Sequence, residues 1–448
     1  PVPPKPEDVA IIMYTSGSTG VPKGVLLSHT NLTAALYGFA TVMDLAPNDV
    51  YMGFLPLAHV LELLAESVMM ICGCSIGYST PLTITDTSSK VMTGCKGDAS
   101  VLRPTLIAAV PLILDRIYKS ITDKVEKGSA TTKALFRFAC NYKSEWAKHG
   151  WDTPLLNRLV FRKVREILGG RVRGIACGGA PLSPETHDFI RTCLCCPVIQ
   201  GYGLTETSAC ATLMAWGENS TGLVGGPLPC CDIRMVNWEE GNYRITDKPN
   251  PRGEVIIGGA NVSQGYYKMP EKTKEDFFHA EGKQWFRTGD IGEMTPDGCL
   301  RVIDRKKDLV KLQFGEYVSL GKVETELKTC PIVDNVCVYG DSRHMFTVAL
   351  VVPNPDKLKD IAVAVGVSPE KSFEELCLEK KIEDAVLKEI QNHGKKSRLE
   401  RFEVPQAMKL CSEIWSPDMG LVTAAFKLRR KPIQDRYQDD INRMYGAS

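Results

Sequence analysis

Short apolar segments alternate with helical patterns over the first two thirds of the chain. Residues 9–14, 104–111 and 171–177 are predicted strands, because each is short, apolar and bounded by polar or turn residues. Between the last two strands, apolar residues recur at helical spacing over 155–168 and stop at two glycines. Ser183, followed by proline and glutamate, predicts the N-cap of another helix. This alternation predicts an α/β fold in which helices cover a sheet.

The pattern changes after residue 253 to short strands separated by turns. The charged run 304–308 lies between two apolar runs, and we take it as the boundary between a large domain over 1–306 and a smaller domain over 307–448. The smaller domain is predicted to be α+β, with strands over 335–339 and 345–352 and a helix over 373–392.

Composition excludes several classes of protein. Of the 448 residues, 44% are hydrophobic and 24% are charged, which is typical of a globular protein and not of a fibrous or disordered one. The 54 basic and 53 acidic residues give a net charge of +1, so no global field favours a nucleic-acid partner. Among the sixteen cysteines, Cys-x-x-Cys spacing occurs once, at Cys193 and Cys196, and the second pair that a zinc ribbon needs is missing, which favours free thiols. No apolar run reaches the roughly 20 residues of a membrane span, and residues 60–74 are predicted to form an amphipathic helix.

A glycine-rich and hydroxyl-rich segment over 14–24 follows the first predicted strand directly. Glycines and small hydroxyl residues allow backbone N–H groups and side-chain hydroxyls to converge on phosphate oxygens, and Lys23 adds positive charge. The segment lacks the Gly-Lys-Ser/Thr of a Walker A loop and contains no Gly-x-Gly-x-x-Gly. It is therefore interpreted as a phosphate-binding loop of another type, with a polar hairpin turn as the alternative.

This segment resembles the nucleotide-binding signature of the adenylate-forming superfamily, which includes acyl-CoA synthetases, luciferases and peptide-synthetase adenylation domains. Further segments resemble the other motifs of that superfamily in the same order, namely 178–182, 200–206, 287–290, 304–305 and 424–430. The resemblance implies a large AMP-binding (adenylation) domain of helix-covered sheets, followed by a smaller, mobile, catalytic α+β domain.

The subfamily can be narrowed from longer stretches. Residues 285–319 look like the long signature of fatty acyl-CoA synthetases, and 56–62 and 247–254 are similar to the animal long-chain enzymes, notably an arachidonate-preferring branch. The resemblance implies that a long-chain fatty acid, ATP and CoA yield acyl-CoA, AMP and diphosphate through an acyl-AMP intermediate, with Mg²⁺ as cofactor. A ligase for another carboxylic acid, a non-catalytic fatty-acid-binding or scaffold protein, and an inactive fragment remain alternatives.

The resemblance also implies a nucleotide-binding set. The residues that would hold the β- and γ-phosphates lie in the glycine-rich segment and are Thr15, Ser16, Gly17, Ser18, Thr19 and Lys23. Thr205 would contact the α-phosphate, and Glu206 would hold Mg²⁺. The adenine and ribose would be bound by Gly179, Ala180, Pro181, Tyr202, Gly203, Asp290 and Arg305. Among these, Tyr202 would stack on adenine and Asp290 would accept both ribose hydroxyls.

Catalysis is expected to depend on residues of both domains. By resemblance, Lys427 would bridge the fatty-acid carboxylate and the α-phosphate during adenylation, and the alternative is one member of a solvated basic run. His59 matches the acyl-pocket position of the family, with a purely structural histidine as the alternative. Lys307 matches the hinge position, and Lys311 and Gly315 would enter the site only for the CoA step.

The chain begins Pro-Val-Pro-Pro, whereas family members carry a long region before the phosphate loop. We therefore expect a segment cut from a longer protein, with an incomplete large domain. By resemblance, the longer protein is expected at cytosol-facing membranes of the endoplasmic reticulum, mitochondrion, peroxisome or lipid droplet.

Overall fold

The computed structural model describes residues 2–15, 22–88, 90–423 and 426–446, except for the side chain of Asp304. These residues divide into two compact units, and the division falls between Val302 and Ile303. Each unit contains hydrophobic clusters of its own, so the two are described separately.

The first unit begins with a β-hairpin and continues as alternating strands and helices. Its strands are β1 (Val9–Thr15), β2 (Lys23–Ser28), β3 (Val50–Gly53), β4 (Ser75–Tyr78), β5 (Leu106–Ala109), β6 (Gly174–Cys177), β7 (Val198–Tyr202), β8 (Thr212–Leu213), β9 (Gly226–Pro227), β10 (Cys231–Val236), β11 (Arg252–Gly259), β12 (Phe277–Ala280), β13 (Lys283–Met294) and β14 (Leu300–Arg305), the last of which crosses the division. Its helices are α1 (His29–Val42), α2 (Val60–Ile71), α3 (Asp98–Leu102), α4 (Pro111–Glu126), α5 (Ala130–Lys148), α6 (Pro154–Leu159), α7 (Arg162–Arg165), α8 (Pro184–Leu194) and α9 (Pro270–Asp276).

A seven-stranded sheet in the order β4-β3-β5-β6-β7-β8-β9 forms the centre of this unit. The pairs from β4 to β7 are parallel, whereas β8 and β9 extend the sheet antiparallel. All four residues of β5 are buried, as expected for a central parallel strand with both faces covered. Because parallel strands end at the same edge of a sheet, the loops after β6 and β7 begin side by side.

Two antiparallel structures accompany the large sheet. The order β10-β11-β13-β12 forms a second sheet, and β14 pairs with β13 at one side. Strands β1 and β2 pair in an antiparallel hairpin in which Thr15 lies opposite Lys23. The hairpin packs against the second sheet through a shared apolar cluster that includes Val25, Leu27 and Ile257.

The second unit is an α+β structure. Its strands are β15 (Leu309–Lys311), β16 (Tyr317–Ser319), β17 (Val333–Tyr339), β18 (Val348–Pro353) and β19 (Ala407–Leu410), and its helices are α10 (Leu320–Lys328), α11 (Pro355–Ala364), α12 (Phe373–Leu378), α13 (Lys380–Lys396), α14 (Arg430–Arg436) and α15 (Gln438–Met444). Strand β18 lies centrally in the three-stranded sheet β17-β18-β19 and is buried along its whole length. Helices cover both faces of this sheet, with separate apolar clusters on each.

The α/β fold class, the three early strands and the N-cap are confirmed. Ser183 accepts a hydrogen bond from the backbone N–H of Thr186, and Pro184 occupies the first helical position of α8. Gly169 has φ +79°, a left-handed conformation that ends the preceding helical turn.

The predicted single helix over 155–168 is wrong. The segment is divided into α6, α7 and a final 3₁₀ turn, because the chain turns to bury Phe161 completely against Phe136, with ring centroids 6.0 Å apart. The leucines at 155 and 159, which the helical spacing assigned to an apolar face, are about 70% exposed.

The predicted helix over 373–392 is also divided. Glu379 has an extended backbone with ψ 114° between α12 and α13, and its carboxylate pairs with Lys371. The helical spacing of apolar residues continues on both sides of Glu379, so the sequence pattern predicted one uninterrupted helix.

Candidate nucleotide-binding site

The predicted phosphate loop connects the two strands of the first hairpin. Thr15 is the last residue of β1, and Lys23 is the first residue of β2. Ser16, Gly17, Ser18 and Thr19 lie outside the described residues, so their contribution to phosphate binding stays a prediction. The position of the segment shows that a hairpin connection and a phosphate loop are compatible interpretations.

The side chain of Lys23 reaches a buried polar cluster at the base of this loop. Its Nζ donates to the hydroxyl of Tyr266 at 2.8 Å and lies 4.0 Å from Glu206 Oε1 and 3.6 Å from Asp276 Oδ2. Glu206 belongs to a single 3₁₀ turn, residues 205–207, that follows β7. The structure therefore brings Lys23 and Glu206 together, although 183 positions separate them in the sequence.

Tyr266 is the centre of this cluster, and the sequence interpretation missed it. Its hydroxyl oxygen lies 2.8 Å from Glu206 Oε1 and 3.1 Å from Asp276 Oδ2. A phenol has a single proton, so it donates to only one of these carboxylates at a time while accepting from Lys23. Burial, followed by the neighbouring Glu206 carboxylate, raises the pKa of Tyr266 above its ordinary value, so the phenol keeps its proton. The one local signal was a tyrosine directly after Gly265, where the backbone meets β2.

Replacement of Tyr266 by Phe is expected to destabilise the first unit by about 1–3 kcal/mol. The substitution leaves the ring in place but removes the hydroxyl that Lys23, Glu206 and Asp276 share, so buried charged groups lose a hydrogen-bond partner. The urea midpoint of unfolding measures the effect. Tyr267→Phe is the matched control because that neighbouring ring is exposed, and an equal loss in both variants would contradict the assignment.

The residues predicted to bind adenine and ribose lie after β6 and β7 and within β13. The Tyr202 hydroxyl donates to Asp290 Oδ2 at 2.7 Å, which fixes the ring of the last residue of β7 against a carboxylate that is almost fully buried. Gly203 follows, and a Cβ at this position would lie 2.2 Å from the carbonyl oxygen of Ala209. A side chain is therefore excluded by the local backbone, whether or not a nucleotide is bound.

The other predicted adenine-site residues, Gly179, Ala180 and Pro181, occupy the connection between β6 and α8. Gly179 has φ +84°, which favours glycine. The N–H of the preceding glycine donates to the carbonyl oxygen of Ala109 at the end of β5. This connection and Tyr202 thus begin at the same edge of the sheet, as the parallel topology requires.

His59 forms the N-cap of α2, where its Nδ1 accepts a hydrogen bond from the N–H of Leu61 at 3.2 Å. This contact supports the structural alternative and leaves the acyl-pocket role as a prediction. One turn later, Glu62 is fully buried and accepts a hydrogen bond from the Tyr51 hydroxyl at 3.0 Å. Burial, and to a lesser extent the charge of Glu66, raise the pKa of Glu62 to about 8, so this carboxyl is neutral at pH 7.

Because Glu62 is neutral in the folded protein, we expect the free energy of unfolding to fall as pH rises. Between about pH 5 and pH 7.5 the folded state keeps the Glu62 proton, whereas an unfolded chain releases it near the ordinary pKa of glutamate. Each pH unit in this window therefore favours unfolding by roughly 1.4 kcal/mol from this group. Glu62→Gln should remove that slope, measured as urea midpoints across the window. Glu271→Gln, at an exposed position, should keep it, and a Glu62→Gln slope equal to wild type would contradict the prediction.

The remaining predicted residues lie from β14 onward. Arg305 is the last residue of β14, Lys307 lies in the turn that follows, and Gly315, with φ +96°, lies between β15 and β16. Lys311 ends β15, where its Nζ lies 5.5 Å from the centre of the Tyr317 ring. Lys427 is exposed, and its backbone makes two hydrogen bonds with Thr423. The Lys427 N–H donates to Thr423 Oγ1 at 3.1 Å, and the Lys427 carbonyl oxygen accepts from the Thr423 N–H at 2.8 Å.

Arg430, three residues after Lys427, is a structural anchor that the sequence interpretation missed. It donates two parallel hydrogen bonds to Glu324 at 2.7 and 2.9 Å and a third to Asp308 at 3.0 Å. Bidentate geometry of this kind fixes both partners in orientation as well as distance. The basic run after Lys427 is therefore not uniformly solvated.

Comparison with known proteins identifies the family. The profile of the AMP-binding enzymes matches residues 1–267. The chain is 48% identical to long chain acyl-CoA synthetase 8 of Arabidopsis thaliana and 40% identical to long-chain-fatty-acid–CoA ligase 1 of Schizosaccharomyces pombe, in each case over 100% of its own length. It spans 63% and 66% of the lengths of these two relatives.

Solved structures give the same result. The adenylation domain of a carboxylate reductase from Mycobacterium chelonae has a TM-score of 0.75 and 26% identity, covering 98% of this chain and 60% of that one. A didomain of carboxylic acid reductase from Segniliparus rugosus, solved in complex with AMP, has a TM-score of 0.76 and 26% identity, covering 98% and 53%. The match of the family profile over more than half of the chain, together with these relatives, shows that the chain belongs to the AMP-binding, adenylate-forming enzyme family.

Proposed function

We propose that this chain carries most of a long-chain fatty acid–CoA ligase. The observation that supports this best is the buried contact of Lys23, the first residue of β2, with Tyr266 and Glu206. The chain is also 37–48% identical to named long-chain and fatty acyl-CoA synthetases and ligases over 99–100% of its length. The reaction would convert fatty acid, ATP and CoA into acyl-CoA, AMP and diphosphate through an acyl-AMP.

The chemistry explains why cations and donors are needed. A carboxylate is a poor electrophile, and its attack on the α-phosphate builds negative charge on oxygens that preorganised groups must stabilise. We assign Lys23 and the loop to the β- and γ-phosphates, Thr205 to the α-phosphate, and Lys427 to the bridge between carboxylate and α-phosphate. Asp290 would hold the ribose, and the Tyr202 ring, fixed by that same carboxylate, would stack on adenine.

Glu206 fits the role of a magnesium ligand by the chemistry of its donors. It is a buried carboxylate beside a lysine that would face phosphate, and Mg²⁺ prefers one or two carboxylates together with phosphate oxygens. The described residues contain no group of three or more histidine, cysteine or acidic side chains that could hold a metal together, and phosphate oxygens and water would supply the other ligands. When bound, Mg²⁺ would neutralise phosphate charge.

We further propose that the domains over 1–306 and 307–448 reorient between the two half-reactions, with Lys307 as the hinge and the region of Lys311 and Gly315 serving the CoA step. The finer assignments also remain proposals. These are a preference for arachidonate, suggested by residues 247–254, association of the longer protein with membranes, and a place on the endoplasmic reticulum, outer mitochondrial membrane or lipid droplets. The relatives include synthetases named as peroxisomal, which makes the peroxisome a further candidate.

The test is carboxylate-dependent exchange of labelled pyrophosphate into ATP, with palmitate, arachidonate, octanoate and benzoate as substrates. Exchange at least tenfold faster with the two long-chain acids supports the proposal. Faster exchange with benzoate or octanoate would favour the second candidate, adenylation of another carboxylic acid, to which the likeness to carboxylic acid reductase domains points. Binding of fatty acid without any exchange would instead indicate a non-catalytic protein or an inactive fragment.

A further inference from the structure

The outward face of α5 carries large aromatic side chains where a surface helix normally carries polar ones. Phe138, Tyr142 and Trp146 recur at a spacing of four residues, so they lie on one side of the helix. Each is exposed, Phe138 by 59%. Phe136 and Lys143, which this helix buries, are seven residues apart and lie on a different face from Phe138 and Tyr142. The outward rings are therefore not part of the core of the first unit.

These rings form one continuous surface with the segment that follows. Successive centroids from Phe138 through Tyr142 and Trp146 to Trp151 are 5.7, 5.7 and 6.3 Å apart. Lys143, which is buried, binds Asn157 in the middle of α6 and so holds this helix beside α5, and α6 carries the exposed Leu155 and Leu159. We call Phe138, Tyr142, Trp146, Trp151, Leu155 and Leu159 the aromatic face.

Contiguous apolar surface of this kind marks an interaction site, because scattered exposed side chains do not line up in ring-to-ring contact. The rings are also of the types that suit a boundary between water and hydrocarbon, since Tyr and Trp combine an apolar body with a polar group. Such a surface favours a partner that has an apolar interior and a polar outer layer in contact with water.

The charge around the aromatic face narrows the choice of partner. Residues 130–165 contain eight basic and two acidic residues. Of the basic ones, Lys143 is buried and Lys133 and Arg137 pair with Glu126, so the exposed excess of positive charge is concentrated on and after α6. Arg158, Arg162 and Lys163 are exposed directly beside the two leucines of α6. A second copy of this chain would bring two such basic surfaces together, so like-charge repulsion opposes self-association through this face.

We propose that the aromatic face lies against the surface of an anionic lipid bilayer, with the rings and leucines at headgroup level and the neighbouring arginines and lysine on lipid phosphates and carboxylates. Rings and leucines inserted to this depth gain apolar burial, and each cation near the anionic surface adds electrostatic attraction that salt screens. Among the described residues, no helix is long and apolar enough to cross a membrane, and lying on the surface requires none. This inference does not rest on the proposed reaction.

The test is co-sedimentation of the chain with phosphatidylcholine vesicles that contain either no anionic lipid or about 30 mol% phosphatidylserine, without ATP, CoA or fatty acid. The proposal expects at least fivefold stronger binding to the anionic vesicles, a loss of most of that binding at high salt, and a blue shift of tryptophan fluorescence on binding. A failure here is independent of pyrophosphate exchange, so it leaves the proposed function unaffected.

Three variants make the result specific. The combined variant Trp151→Ser, Leu155→Ser and Leu159→Ser should bind at least tenfold more weakly, and Arg158→Gln with Arg162→Gln and Lys163→Gln should lose most of the preference for phosphatidylserine. Tyr37→Ser, which removes a 68%-exposed ring on α1, should bind as wild type does. These side chains are exposed, so folding should persist, and circular dichroism checks it.

Three outcomes would overturn the proposal. They are equal binding to both vesicles, equal binding of wild type and the Trp151, Leu155 and Leu159 variant, and a dimer in size-exclusion chromatography that this variant abolishes while vesicles bind neither protein. The last would assign the aromatic face to a second copy of the chain.

Discussion

Replacement of Lys427 by Ala should reduce acyl-AMP formation by roughly 10²–10⁴-fold while leaving the conversion of supplied acyl-AMP and CoA to acyl-CoA close to wild type. An ammonium between the carboxylate and the α-phosphate stabilises charge that exists only during adenylation, so its loss affects that transition state and not the next one. Pyrophosphate exchange measures the first half-reaction, and release of AMP from synthetic acyl-AMP with CoA measures the second.

Lys431→Ala is the matched control, because this lysine belongs to the same basic run but pairs with Asp435 on the surface of α14. It should exchange pyrophosphate at the wild-type rate. Equal loss of both half-reactions in Lys427→Ala would contradict the division of labour, and equal loss in the two variants would indicate a general contribution of the basic run to nucleotide binding.

Replacement of Lys307 by Pro should have the opposite signature, with thioester formation reduced by about a hundredfold and pyrophosphate exchange largely kept. The residue lies in a turn closed by the N–H of Asp308 on the carbonyl of Arg305 at 2.9 Å, and proline would restrict the backbone where the proposed rotation occurs. The same two assays measure it.

Lys307→Ala is the control for this variant, because it removes the ammonium and keeps the backbone free. It should resemble wild type in both half-reactions. An unchanged second half-reaction in Lys307→Pro would remove the hinge assignment, whereas an equal defect in Lys307→Ala would shift the explanation from the backbone to the side chain.

Local signals in the sequence predicted local structure well. Ser183 and Pro184 mark the start of α8 because a cap and a proline act on the nearest turn of backbone, and the glycine after Leu168 ends a helix for the same reason. The interrupted helices were not predictable in this way. Periodicity records which residues are apolar, but the burial of Phe161 depends on Phe136, 25 positions earlier, and this contact decided where α6 ends.

The candidate site shows the same limit. Motif resemblance placed Lys23, Glu206, Tyr202 and Asp290 near a nucleotide, and the structure brings them into two buried contacts. Tyr266 was not predicted because it lies 243 positions from Lys23 in the sequence. The two residues contact each other because β2 pairs with the segment after β11, and no local sequence pattern indicates that pairing. Arg430 was not predicted because a run of basic residues is typical of a solvated surface, and its acidic partners cannot be identified from the sequence.

The anchoring of Arg430 has a mechanical consequence for the lysine before it. Lys427 lies between a hydrogen-bonded exchange with Thr423 on one side and the three charged bonds of Arg430 on the other. The backbone of Lys427 is therefore held in place on both sides, so any long displacement of its ammonium requires movement of the body that carries this segment. If the proposed domain reorientation delivers Lys427, we expect added solvent viscosity to slow acyl-AMP formation, because movement of a whole domain is slower than the motion of a surface loop.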